Sequence, residues 1–232
     1  MSPTIDDIVK ELRWPGRPSV GNAAVVDSAR QFSENGYVPL PGFLSENALG
    51  AMKSVVEVLQ AQAKRRDFDM ACMGGTPRHM TTLGGVEIAE SGPLIAELYQ
   101  HGELINEIGS QLAMNIVTAD DPVERHVLNI LHKRGDTHGL HVDDYPIALV
   151  MFLESPACTE GCGHLEYHPA DAPNKVSTHG HAPGDAYLLR SDRFAHRVMP
   201  IHDGCTRTVL NFAYGAAGIN VTTSPSASIL YS

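Results

Sequence analysis

His141-Val142-Asp143 is the stretch of this chain best suited to hold a metal. On an extended strand every second side chain points the same way, so an imidazole and a carboxylate one residue apart project from one face. A second imidazole follows at His196, in Phe194-Ala195-His196-Arg197-Val198, and Arg207 comes shortly after it. Two imidazoles and a carboxylate on one side of a metal leave its other positions open, an arrangement suited to iron(II) and to O2. On the strand it begins, Arg207 shares a face with Val209, Asn211 and Ala213, while Thr208, Leu210 and Phe212 take the other. A guanidinium turned into a barrel is costly unless an anion meets it, and its planar fork suits a carboxylate. An acidic co-substrate is the chemistry that this residue asks for.

These residues lie in the half of the chain that reads as strands. After Asp120-Asp121-Pro122 the apolar pattern gives strands over Glu124 to Lys133, Ile147 to Leu153, Gly163 to His168, Asp185 to Arg190 and Cys205 to Tyr214. Turns rich in Gly, Pro and Asp separate them, with no long helix between. That spacing predicts an antiparallel barrel or two-sheet jelly roll. The first half reads as a helical annex. Thr4 to Leu12, Asn22 to Asn35, a long helix begun by Ser45, and Ser91 to Met114 with a break around Gly102 all carry helical spacing, and Tyr37 to Leu40 is a short strand. Asp67 to Glu90, with Gly74-Gly75 and Gly84-Gly85, reads as a mobile loop or short strand with glycine hinges, a lid. Ser224 to Ser232 reads as a last strand or a packed tail. The expectation is a mainly β protein with an α annex in one domain, residues 1–120 forming annex and lid and 121–232 the core.

At 232 residues and a formal net charge of -10, the chain is long enough for a generous core and a poor match for a polyanion. No apolar run reaches the roughly 18 to 20 residues that cross a bilayer. Nucleic acid and membrane are therefore not expected as partners; a small molecule is, with a homodimer left open. The N-terminus shows no address, and the cytoplasm is the default location. The four cysteines are too sparse for a disulfide scaffold and are expected to be reduced. Cys158, Cys162 and His164 have zinc-like spacing without an evident fourth ligand, so free thiols are the default there.

His141-x-Asp143, His196 and Arg207, taken as a set, resemble the signature of the Fe(II)- and 2-oxoglutarate-dependent oxygenases. The resemblance implies a double-stranded β-helix, or cupin-like jelly roll, flanked by N-terminal helices, with iron on the triad and Arg207 gripping the far carboxylate of 2-oxoglutarate. Asn129 or His132 would help hold the co-substrate. It also implies oxidative decarboxylation to succinate and CO2, with O2 consumed and a C-H bond hydroxylated. Pro77-Arg78-His79-Met80, Val123-Glu124-Arg125, Thr137-His138-Gly139-Leu140-His141-Val142-Asp143-Asp144 and Leu210-Asn211-Phe212-Ala213-Tyr214 are further similar to the BesD-type branch of free-amino-acid (lysine) halogenases and hydroxylases. In that branch the places of Arg78 and His138 handle the amino acid's polar end, and those of Glu124, Asp144 and Asn211 handle amines and orientation. Its halogenases replace the metal carboxylate with a small residue to admit chloride. This chain keeps Asp143, which favours hydroxylation. It departs from the lysine-specific members at Ala213, where those carry a hydroxyl.

The first reading is thus a hydroxylase of a free, amine-bearing amino acid. A related oxygenase of another small polar metabolite is the alternative among enzymes, and a non-catalytic cupin-like binding module is the alternative outside them. A binding module needs neither an open metal position nor a co-substrate clamp.

Overall fold

A computed structural model describes residues 3–15, 27–157, 161–219 and 225–231. The N-terminal half runs α1 (Ile5–Glu11), α2 (Ser28–Asn35), β1 (Tyr37–Leu40), α3 (Glu46–Leu59), β2 (Lys64–Met70), β3 (Thr76–Leu83), α4 (Gly85–Ser91), α5 (Pro93–Gln100), α6 (Gly102–Leu112) and β4 (Ile116–Thr118). Then follow β5 (His126–Leu131), β6 (Thr137–His141), β7 (Ile147–Glu154), β8 (Leu165–Pro169), β9 (Ser177–His179), β10 (Ala186–Leu189), β11 (Phe194–Val198), β12 (Arg207–Ala216) and α7 (Pro225–Tyr231). The helices begin where the side chains dictate. Thr4 and Asp7 form a reciprocal capping box on α1, and Ser45 accepts from the Ala48 amide to cap α3.

The strands form one curled antiparallel sheet in the order β1-β10-β7-β12-β5-β3-β6-β11-β8-β9, with β2 added on β3 and β4 on β12. Strand β7 shows how the layers are built. Ile147, Leu149, Met151 and Leu153 point outward into the core shared with the helices, which Met52, Val56, Leu59, Ile95 and Ile108 fill from the other side. Ala148, Val150 and Phe152 point into the barrel with Leu165, Tyr187 and Val209. Covered on both faces, the strand reads as a continuous apolar run. The two ends of the sheet path meet where Tyr37 of β1 stacks on His179 of β9, ring centroids 4.5 Å apart, and on Tyr167 of β8 at 5.2 Å. This aromatic seam closes the jelly roll.

The β-rich core and its helical annex are as expected, with three corrections. Of the two readings of Asp67 to Glu90, the strand holds and the mobile loop does not: β2 and β3 make a hairpin, β3 lies inside the sheet between β5 and β6, and Gly85 opens α4. The first 120 residues therefore supply strands to the barrel as well as helices. Of the two readings of the C-terminal segment, the strand fails and the packed tail holds, in the form of a helix, α7, that buries Ala227 and Leu230. Cys205 is disulfide-bonded, against the expectation of reduced thiols, while Cys72 and Cys162 are free. The 22–26 part of the expected second helix and Cys158 lie outside the described residues. No helix among the described residues is long and apolar enough to cross a membrane.

Candidate metal and co-substrate site

Strands β6 and β11 are hydrogen-bonded neighbours, and their register sets His196 opposite His141. The Asp143 amide donates to the Ser191 carbonyl at 2.9 Å, which turns the chain after β6 so that its carboxylate comes between the two rings. Asp143 Oδ1 is 3.3 Å from His141 Nε2, and Oδ2 is 3.7 Å from His196 Nε2. The three side chains offer ligand atoms within 4.8 Å of one another, and no other such cluster occurs among the described residues.

The tautomers follow from the backbone. His141 Nδ1 is 2.7 Å from the Gly139 carbonyl and His196 Nδ1 is 3.0 Å from that of Phe194. A carbonyl can only accept, so each Nδ1 carries the proton and each Nε2 presents a lone pair to the centre of the cluster. Burial, aided by the neighbouring His141, lowers His196 to about 4 and keeps it neutral. Burial alone would raise Asp143, but the imidazoles of His196 and His141 outweigh it and hold the carboxyl at about 2. Two neutral nitrogens and an ionised oxygen fit a divalent metal of the iron type.

A cavity of about 60 Å³ leads from this cluster into the barrel, lined among others by Asn129, Tyr187, Arg207 and Asn211. Arg207 is 2 % exposed, its guanidinium 4.9 Å from the centroid of Phe152 and hydrogen-bonded to Tyr187. Its Nε has no partner, and no carboxylate among the described residues pairs with it. A buried cation so placed is completed by an anion entering the cavity, which fits a dicarboxylate chelating the metal with its other end. Asn129 lines the same cavity, its Oδ1 accepting from Thr82 Oγ1 at 2.8 Å. His132 is exposed beyond β5 and takes no part.

A second cavity of about 40 Å³ adjoins the first and shares Asp143, Asn211 and Tyr231 with it. Glu124, Asp144 and Ala213 line it as well. Glu124 Oε2 and Asn211 Oδ1 are buried acceptors without partners. Burial, reinforced by the carboxylates of Asp143, Asp144 and Asp121, raises Glu124 to about 8. Asp144 is exposed at the rim. His138 stacks on His141, ring centroids 4.1 Å apart, and burial holds it far below its ordinary range. Arg78 is opposite His138 in the β3/β6 register. It is 1 % exposed and donates to Thr76 Oγ1 and the Pro77 carbonyl, yet its Nε is unpartnered. It lines neither cavity, although its charge is felt by Tyr231.

Tyr231 is the residue that sequence reasoning missed. It hangs from α7 between the two cavities, hydrogen-bonded to Asn129. The spacing of Ala227, Leu230 and Tyr231 is helical, but a segment of seven residues is too short for that period to stand out.

At Gly139 the backbones of β3 and β6 approach too closely for a side chain. A Cβ there would fall 2.6 Å from Pro77 Cδ and 2.8 Å from the Pro77 nitrogen and carbonyl oxygen. Gly139→Ala should force β6 off β3, destabilising the fold by about 1–3 kcal/mol and displacing His141. Chemical denaturation with an iron titration tests this, and an unchanged midpoint with unchanged metal affinity would refute it.

The family model described as HalD, Halogenase D, matches residues 20–225. The chain belongs to this family. Its fold is that of the 2OG-Fe(II) oxygenases. One structural neighbour is an oxidoreductase of the 2OG-Fe(II) oxygenase family from Burkholderia pseudomallei, 19% identical over 84% of this chain and 92% of its own, with a TM-score of 0.62. Another is SnoK, a non-heme alpha-ketoglutarate-dependent carbocyclase from nogalamycin biosynthesis, 15% identical over 86% and 87% of the two chains, TM-score 0.65. HygX from Streptomyces hygroscopicus, solved with nickel, 2-oxoglutarate and hygromycin B, is 12% identical over 86% and 90%, TM-score 0.61. Among curated protein sequences none matches. This HalD chain is therefore an enzyme of the 2OG-Fe(II) oxygenase type, and its donor set and buried cation suit iron and 2-oxoglutarate.

Proposed function

We propose that the chain is an Fe(II)- and 2-oxoglutarate-dependent hydroxylase of a free amino acid that carries a second amine, acting at an unactivated aliphatic carbon. The observation that carries this reading is the pair of orphaned acceptors, Glu124 Oε2 and Asn211 Oδ1, in the cavity that shares Asp143 with the metal cluster. Two unpartnered buried acceptors lining one cavity want a donor with several protons, and an ammonium group has three. Arg78, a buried cation without a carboxylate partner on the strand beside His138, contributes positive charge that favours the amino acid's own carboxylate nearby.

Bound iron and 2-oxoglutarate supply the activation of O2, with succinate and CO2 as the co-substrate's products. The chain's own residues do the positioning. His141, Asp143 and His196 hold the metal by one face, and Arg207 with Tyr187 fixes the far carboxylate of the co-substrate. Glu124 and Asn211 anchor the amine, Asp144 adds negative charge at the rim, and neutral His138 is a hydrogen-bonding group beside the metal ring it stacks on. Tyr231 covers both cavities and excludes water. Holding the reacting carbon in place matters because a shift of about 1 Å can cost on the order of a hundredfold in rate. Asp143 occupies the metal position that a halide would need, so oxygen is the atom transferred.

The decisive experiment is a screen of free amino acids with Fe(II) and 2-oxoglutarate, measuring succinate and a product heavier by one oxygen. An amine-bearing amino acid giving both supports the proposal. Coupled turnover only with molecules lacking a second amine, or a chlorinated product, overturns it.

The Glu124 carboxyl gives this reading a pH signature. Without substrate it is protonated below about pH 8, and an ammonium beside it favours the ionised form, so binding releases a proton. Affinity for the cationic substrate should rise with pH up to about 8 and then level off. Glu124→Gln should flatten this rise and weaken binding by about 1.5–3 kcal/mol, roughly ten- to a hundredfold. Anaerobic calorimetry across this range tests it, and a Gln variant keeping the wild-type slope would remove Glu124 from the amine site.

A further inference from the structure

The aromatic seam does more than close the barrel. Tyr187 lines the metal cavity and is hydrogen-bonded to Arg207, and its ring centroid is 5.5 Å from that of Tyr37. Tyr37 is itself 5 % exposed, and its hydroxyl is 2.8 Å from His181 Nε2. His181 packs between Phe152, at 4.3 Å, and Tyr187, at 5.1 Å. On its other side Tyr37 stacks on His179, which with Tyr167 borders a surface cavity of about 370 Å³. A continuous path of rings in contact thus joins the metal cavity to solvent, with a phenol bonded to an imidazole at its middle.

Packing alone accounts for stacked rings, but it does not require a buried phenol to meet an unprotonated ring nitrogen. Burial, with the Arg207 charge, holds His181 down to about 3, and burial drives the Tyr37 phenol up. With His181 in its Nδ1–H tautomer, the pair is a protonated phenol donating to a neutral imidazole, the starting state from which a tyrosine loses an electron and a proton together. Loss of the electron alone would leave a phenol cation far more acidic than imidazolium, so the proton transfers along the existing hydrogen bond.

We infer that Tyr37 and His181 form a one-electron relay that drains oxidising equivalents from the iron site when no substrate hydrogen is in reach. One electron passes from Tyr37 through Tyr187 towards the metal cavity, where bound iron with O2 and 2-oxoglutarate would supply the one-electron oxidant. The Tyr37 proton moves to His181 Nε2, leaving a neutral tyrosyl radical and an imidazolium. A one-electron donor at the surface cavity, such as ascorbate, returns the electron to Tyr37, and His181 returns the proton. The net transfer is one electron from donor to iron site, with the pair restored.

This inference rests on the iron and 2-oxoglutarate chemistry and not on the identity of the substrate. The test is rapid-freeze EPR of the full chain loaded anaerobically with Fe(II) and 2-oxoglutarate, without substrate, and mixed with O2, with succinate measured in the same samples. The expected result is a tyrosyl signal that appears as succinate forms, decays faster with ascorbate, is absent in Tyr37→Phe and is reduced several-fold in His181→Gln. Tyr37→Phe keeps the ring and its stacking, and an unchanged Fe(II)–2-oxoglutarate absorption band would show its site intact. Succinate formed without a radical, or an undiminished radical in either variant, overturns the relay. Absence of succinate in the substrate-free wild type overturns the relay alone; absence of succinate with every amino acid of the screen overturns the co-substrate chemistry beneath it.

Discussion

Arg207→Leu should weaken 2-oxoglutarate binding on the order of a hundredfold while making the ligand-free protein more stable. The two effects have one cause. Arg207 is buried against Phe152 and Tyr187 with its Nε unpartnered, so without co-substrate the fold carries a desolvated cation with no counter-charge. Leucine removes that cost, and replacing a buried charged group with a hydrophobic one can stabilise by about 1–4 kcal/mol. The same substitution removes a two-pronged, charge-assisted contact to the incoming carboxylate, worth about 3 kcal/mol or more. Thermal unfolding with and without 2-oxoglutarate reads both. The variant should melt higher alone and lose most of the rise that the co-substrate gives the wild type. A variant that melts lower alone and still responds normally to 2-oxoglutarate would show that Arg207 is a structural residue.

Asp143→Ala should abolish hydroxylation, a loss on the order of a thousandfold or more, equivalent to about 4 kcal/mol in the barrier. Its carboxylate is the charged member of the cluster, within 3.3 Å and 3.7 Å of the two imidazole nitrogens. Without it the metal keeps two neutral ligands and loses the anion that neutralises part of its charge. Iron affinity should fall, and a position of the right charge opens for a halide. Turnover with and without chloride, read by the mass of the product, is the measurement. Undiminished hydroxylation would remove Asp143 from the metal, whereas a chlorinated product would mean that this carboxylate alone excludes halide transfer.

The metal cluster was legible from the His-x-Asp spacing, but not for the reason of strand alternation: β6 ends at His141, and the turn pinned by the Asp143 amide on Ser191 brings the carboxylate to the rings. Arg207 was legible from alternation, its face of β12 fixed by Val209 and Asn211. The hairpin β2–β3 was not. Lys64-Arg65-Arg66-Asp67 carries no apolar alternation because β2 lies at an edge and is largely exposed, and β3 is bracketed by glycines that read as hinges. Only the long-range pairing of β3 with β5 and β6 makes it a strand, and propensity holds no record of such pairing. Strand β9 was lost likewise: Ser177-Thr178-His179 is three polar residues held by β8. Glu124 and Asn211 were named by resemblance, but that their oxygens would be left unpaired in one cavity depended on the fold.

The woven position of β3 bears on how such a protein can change its substrate over time. Arg78 and the metal-cluster residue His141 sit on neighbouring strands joined by backbone hydrogen bonds, so a lineage cannot exchange the segment around Arg78 by swapping a surface loop without disturbing the metal cluster. Helix α7 has no such tie: it touches the hairpin by packing and contributes no strand to the sheet. New specificities should therefore accumulate first around Tyr231, while Arg78 and the strand that carries it change only with the barrel itself.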